Sequence, residues 1–184
     1  MGHAFKPLFN EIISLGNNMA SMTTRKKQEF HNDDQYNTTP EIWEMITHLI
    51  PKDKVLWEAF LKHNWSSKSA IILRELGHNV VGNPTMDFFD EPPEYDIIVS
   101  NPPYSIKKKI FERLADLDKP FILILPVSTL TKQYVKVLER DKLQMIIPSK
   151  RMQFERSGVE LSRCWFDTCF LCYKMEFKQD ITFI

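Results

Sequence analysis

A doubly wound α/β fold, with a mainly parallel sheet and an antiparallel C-terminal hairpin, follows from two features of the sequence. Short apolar runs, among them Asp96-Ile-Ile-Val-Ser100 and Phe121-Ile-Leu-Ile-Leu125, alternate with segments whose apolar residues recur at helical spacing. Such runs read as strands buried on both faces, the condition of a parallel sheet covered by helices. The last third changes character. Leu143 to Ile147, Met152 to Phe154 and Cys164 to Met175 read as strands joined by short turns, which makes the hairpin.

Taken in order, the first 34 residues read as a mobile N-terminal extension: an amphipathic stretch, Pro7 to Leu15, then a polar link ending in Arg25-Lys26-Lys27. The folded domain spans 35–184. Thr38 is the expected cap of a first helix, closed by Glu41, with Pro40 in the first turn and Trp43, Ile46, Leu49 and Ile50 on one face. A strand near Lys54 to Glu58, a helix from Ser66 or Ser67 to Leu76 stopped by Gly77, and a strand at Asn79 to Val81 make a β-α-β unit. Tyr95 to Ser100 is the next strand, Ile106 to Leu117 a helix, Phe121 to Leu125 a central strand and Thr129 to Arg140 a further helix. The pattern is Rossmann-like, and by itself it implies no chemistry.

Composition narrows the function classes. With 184 residues, 43% of them hydrophobic, the chain has the length for one domain with a real core and for at most one catalytic unit. No apolar run approaches membrane-spanning length, so the expectation is a soluble, intracellular protein of cytoplasm or nucleus with no membrane partner. Twenty-four basic and 24 acidic residues balance to a formal charge of +0, which argues against coating nucleic acid by bulk charge and leaves local patches. Three cysteines, Cys164, Cys169 and Cys172, sit in one apolar segment and read as reduced, packed thiols. Cys169-Phe-Leu-Cys172 has ligand-like spacing, but no second pair follows, so no metal is expected.

The chemistry concentrates in Asn101-Pro102-Pro103-Tyr104, placed immediately after a predicted strand, where ligands of doubly wound sheets bind. At ordinary residue frequencies this tetrapeptide arises by chance in about one chain of this size in a thousand, so it is a specific signal. An amine conjugated to a ring is a weak nucleophile until hydrogen bonds to its two protons draw it toward tetrahedral geometry. The Asn101 side-chain oxygen and the Pro102 carbonyl supply two acceptors, and consecutive prolines hold them rigid. Tyr104 offers a face for a planar base drawn from its stack. Displacement at a methyl sulfonium is a matter of in-line positioning, which needs neither a strong base nor a metal.

This loop resembles the catalytic motif of the class I S-adenosylmethionine-dependent adenine N-6 methyltransferases, and the resemblance runs from roughly Asp33 to Met175. It implies S-adenosylmethionine as cofactor and the exocyclic amino group of adenine as target, in DNA before RNA. Related enzymes with this motif methylate RNA bases or protein glutamine, and the motif does not choose among them. Gln35-Tyr36-Asn37-Thr38-Thr39-Pro40 is similar to the family's Thr-Pro segment, which helps hold the cofactor. Trp57-Glu58-Ala59-Phe60 matches the family's acid-Pro-Phe-x-Gly-x-Gly loop at Glu58 and Phe60, with Lys62 and Asn64 where that loop has glycines. That departure leaves open a second reading, a catalytically silent binding subunit on the same fold. Asn83 stands where the family presents an acid to the ribose, and Asp87-Phe88-Phe89 resembles its Asp-Phe contact to the cofactor's adenine. Lys107, Lys108 and Arg151 are expected at a phosphate-contacting rim, with Lys109, Lys132, Lys136, Lys150, Arg156 and Arg163 as further candidates. Trp165 and Phe166 are expected in the core rather than against a base. No target-recognition domain fits in the chain, so selectivity is expected from a homodimer, a partner subunit or a short unstructured substrate.

Overall fold

A computed structural model describes residues 36–61, 68–156, 159–162 and 166–184. The N-terminal extension lies outside the described residues, as do Lys62, His63, Asn64, Trp65, Arg163, Cys164 and Trp165. Strand β1 (Tyr36–Thr38) leads into helix α1 (Pro40–Ile46). There follow β2 (Val55–Trp57), α2 (Lys68–Glu75), β3 (Asn79–Val81), β4 (Ile97–Ser100), α3 (Lys107–Leu117) and β5 (Phe121–Pro126). The C-terminal part carries β6 (Leu143–Ile147), β7 (Phe154–Arg156), β8 (Val159–Ser162), β9 (Thr168–Tyr173) and β10 (Ile181–Phe183).

Seven strands form one sheet in the order β10-β6-β9-β5-β4-β2-β3, and β9 alone runs against the others. This is the Rossmann-like, mainly parallel sheet that the alternating pattern predicts. Successive residues of the central strands face opposite sides. Val99, Ile122, Ile124 and Phe170 join a core with Trp43 and Ile46 of α1 and Leu73 of α2, whereas Ile98, Leu123 and Leu171 join one with Phe111 and Leu114 of α3. Helices therefore cover both faces, and β4, β5 and β9 are buried along their whole length, as continuous apolar runs require.

Four expectations are corrected. The segment Thr129 to Arg140 is not an α-helix. It is three 3-10 turns over Val127–Thr131, Gln133–Val137 and Arg140–Lys142, interrupted by extended backbone at Lys132 and Leu138. Its β-branched Val127, Thr129, Thr131, Val135 and Val137 lower helix propensity, and of the two longer turns only Thr129 and Val135 are buried. The cap of α1 is Thr39 rather than Thr38, because Pro40 takes the first helical position and Thr39 is extended. The C-terminal hairpin does not finish the sheet edge: β9 inserts between β5 and β6, and β10 adds parallel to β6 as the edge strand. Finally, β1, β7 and β8 form a separate three-stranded antiparallel sheet.

Helix α2 ends as its sequence predicts. Gly77 is left-handed (φ +85°), its N–H meets the Arg74 carbonyl at 2.9 Å, and the His78 N–H meets that of Leu73 at 3.1 Å. Lys52 adds a third cap, donating to the Leu76 carbonyl at 2.5 Å, and its Nζ lies 3.1 Å from His78 Nε2. An ammonium only donates, so Nε2 accepts and the buried ring is neutral. Burial, then the Lys52 charge, hold the His78 pKa below its ordinary value. A histidine with a depressed folded pKa contributes stability above its unfolded pKa of about 6.5 that is lost as pH falls toward the folded value. The stability advantage of the native chain over His78→Gln, measured as urea midpoints, is expected to shrink between about pH 7.5 and about pH 5. A constant advantage would contradict this.

Candidate active site at the strand switch point

The chain steps outward from β2 to β3, then returns to place β4 on the other side of β2. Strand order reverses there, and the carboxyl ends of β2 and β4 border the crevice such a reversal creates. Glu58 follows β2, and Ser100 ends β4 with Asn101 next. The Ser100 hydroxyl donates to Glu58 Oε1, which also accepts the Phe60 N–H at 3.3 Å. Glu58 Oε2 is buried with no hydrogen-bond partner, and the residue is 1% exposed. Burial pushes the carboxyl up to about 7, against the opposing bonds from Ser100 and Phe60.

The backbone leaves room for this arrangement only because residue 82 is glycine. The Glu58 N–H bonds the Val81 carbonyl at 3.1 Å, and a Cβ on Gly82 would stand 2.5 Å from the Glu58 carbonyl oxygen at a φ of +125°. Phe60 and Phe88 are fully buried with ring centroids 4.6 Å apart, and Phe88 packs on Trp57 at 5.6 Å. With Trp57 they form one buried aromatic cluster, while Phe89, 40% exposed, is the ring of that segment which reaches the surface. Asn83 Oδ1 accepts from the Thr85 N–H at 2.9 Å, the Thr85 hydroxyl and the Met86 N–H, so its carbonyl end shapes a turn. Asp87 likewise accepts the Phe89 N–H at 3.1 Å.

Asn101, Pro102 and Pro103 are buried, and Tyr104 opens a 3-10 turn into α3. The Asn101 amide nitrogen lies 3.5 Å from the Tyr36 carbonyl oxygen, so β1 brings the Thr-Thr-Pro segment against the predicted catalytic loop. The Thr38 hydroxyl is buried without a partner, and Thr39 donates to the Gln153 carbonyl at 3.4 Å. A cavity of about 510 Å³ beside α1 is lined by Thr39, Pro40 and Arg151, among others.

Around the mouth, Lys107 Nζ stands 4.9 Å from the Tyr104 ring centre, and Phe166 meets that ring edge-on at 5.5 Å. Phe166 is half-buried and so packs on the loop itself rather than solely in the core. Its neighbour Asp167 takes two bonds from Arg151, at 2.9 and 2.6 Å. Lys107, Tyr104, Phe166, Asp167 and Arg151 thus form one run of contacts. Lys108 points outward, 3.8 Å from Glu112. Cys169 and Cys172 are free and buried, and burial pushes the Cys169 thiol up to about 11. Among the described residues, no cluster of three metal-ligand side chains occurs, and no helix is long and apolar enough to cross a membrane.

Sequence reasoning missed Ser100 and Gly82. A glycine directly after a strand is a readable sign of close backbone approach; nothing local marks Ser100, whose partner lies 42 residues away.

No protein-family model and no curated protein matches the sequence. Among solved structures, the chain is similar to a dimethyladenosine transferase from Plasmodium falciparum, with 12% identity and a TM-score of 0.45 over 74% of this chain and 61% of that one. It thus spans less than two thirds of that protein. It is also similar to a precorrin-6y C5,15-methyltransferase from Geobacter metallireducens, with 12% identity, TM-score 0.40, and 77% and 94% of the two chains covered. A third is TrmN from Thermus thermophilus, with 13% identity, TM-score 0.35, and 73% and 48% covered. Strand order, rather than these similarities, defines the fold class here.

Two predictions follow from the switch point. A raised carboxyl pKa contributes stability that is full below the unfolded value and is lost as pH rises through about 7. Glu58→Gln, always neutral, is therefore expected to stabilise the chain at about pH 8.5 by about 2–3 kcal/mol and to change little near pH 4. Thermal melts across that range check it. Gly82→Ala is expected to cost about 1–3 kcal/mol in urea unfolding, from backbone strain and displacement of the Glu58 carbonyl.

Proposed function

We propose that the chain is an S-adenosylmethionine-dependent methyltransferase. Its target, in this reading, is the exocyclic amino group of adenine in nucleic acid, with DNA ahead of RNA. The observation that carries it is the placement of Asn101-Pro102-Pro103-Tyr104 at the carboxyl end of β4, beside the switch point and against β1.

The residues present fit a cationic cofactor. Glu58 Oε2 is an orphaned buried acceptor beside the crevice, suited to an ammonium, and Asn83, Asp87, Phe88, Tyr36, Thr38, Thr39 and Pro40 are the further residues assigned to cofactor binding. S-adenosylmethionine, when bound, supplies the methyl group. The chain's own part is to accept both amino protons at Asn101 Oδ1 and the Pro102 carbonyl, to lay the base on Tyr104, and to keep water out with buried prolines. Lys107, Lys108 and Arg151 are assigned to the phosphates. Selectivity beyond one base falls to a second copy or a partner subunit.

A silent binding subunit is the competing reading, favoured by Asn101 being only 5% exposed and by the lysine and asparagine at positions 62 and 64. Incubating the chain with mixed DNA, RNA and cofactor, then measuring methylated nucleosides by mass spectrometry, separates the two. Methyladenine is expected, and Asn101→Ala is expected to lower its formation at least about a hundredfold with cofactor affinity nearly unchanged. Undiminished turnover in Asn101→Ala would defeat the mechanism.

A further inference from the structure

Two donors converge on one oxygen of Glu58. The Ser100 hydroxyl and the Phe60 N–H both bond Oε1, while Oε2, equally buried, has no partner. A buried acceptor left open carries its full desolvation penalty. The asymmetry is built by neighbours that do not move easily: Ser100 is fully buried at the end of β4 and registered opposite Leu123 of β5. Among the described residues, the groups bonded to the carboxyl are the Ser100 hydroxyl of β4 and the Phe60 N–H of the following turn, neither of them charged. Among the described residues, no cation forms an ion pair with Glu58.

We propose that Ser100 is a positioning residue: its hydroxyl holds Glu58 so that Oε2 alone meets an arriving ligand ammonium, and it ties that contact to the strand end carrying Asn101. This rests on the cofactor reading above. The sequence neighbour of Asn101 thereby links occupancy of the crevice to the placement of the catalytic loop. An ammonium reaching Oε2 displaces the carboxyl's proton to solvent, so cofactor binding and proton release are one event. Ser100 favours the ionised carboxyl by donating to it, and the event therefore proceeds at lower pH than it would without the hydroxyl.

Calorimetric titration of the full chain with S-adenosylmethionine, in two buffers of different ionisation enthalpy at about pH 6.5, reads the proton directly. A fraction of a proton released is expected. With 5′-methylthioadenosine, which keeps the nucleoside and lacks the ammonium, none is expected. Ser100→Ala is expected to weaken S-adenosylmethionine about tenfold near pH 6.5 and to move the midpoint of the affinity profile to higher pH. Ser100→Thr, which keeps the hydroxyl, is expected to restore both. A merely structural serine would change affinity without moving the midpoint, and that outcome overturns the proposal, as does binding by the native chain without proton release. If Ser100→Ala does not fold, Ser100→Cys, whose thiol is a weaker donor, is expected to move the midpoint in the same direction, and an unmoved midpoint there overturns the proposal. Native chain that binds no S-adenosylmethionine at all overturns the methyltransferase reading with it, whereas native chain that binds and methylates while Ser100→Ala keeps its pH profile overturns Ser100 alone.

Discussion

A carboxyl group held in the dry interior where two strand ends diverge sets the terms for the rest of this molecule. Glu58 is almost fully enclosed, and its ionised form is opposed by burial more strongly than it is favoured by its two donors. Several of the described residues hold it there. Gly82 lets the end of β3 pass over the Glu58 carbonyl, the Phe60 and Phe88 rings fill the space behind, and Ser100 draws the end of β4 toward β2. A chain selected for stability alone would place a neutral residue here. In the cofactor reading proposed above, that lost resting stability is offset by the contact Oε2 makes with an ammonium.

The same junction explains how a short chain assembles a site from distant pieces. Asn101 is reached from one side by the sheet that carries it and from the other by Tyr36 of the small antiparallel sheet, 65 residues away. Tyr104 begins the turn into α3 and is flanked by Lys107 from that helix and Phe166 from the segment before β9. Arg151, held by Asp167, belongs to the same rim through its partner's place beside Phe166. Three parts of the chain thus meet around one loop, and their spacing is fixed by the sheet order rather than by any local turn.

Much of this was legible in the residues. The runs Tyr95 to Ser100 and Phe121 to Leu125 read as buried strands and are β4 and β5, Gly77 ends α2 through the bonds its position implies, and the Asn101 loop sits where its strand predicts. What stayed hidden depends on pairing across long distances. The insertion of β9 between β5 and β6 leaves no trace in local periodicity, and neither does the pairing of β1 with β7, over a hundred positions apart. The segment 127–142 misled for a different reason: its apolar spacing suits a helix, but its valines and threonines do not, and propensity prevailed where few side chains are buried. The packing of the buried Phe88 ring on Phe60 and Trp57 was likewise hidden, since it joins residues some 28 and 31 positions apart.

The position of β9 also shapes how the chain can be made. Residues 168–173 fill the slot beside 121–126, so that edge of β5 stays bare until residues 168–173 have left the ribosome. Premature termination before that point would expose an unpaired strand of Phe, Ile and Leu, a template for aggregation rather than a smaller working domain.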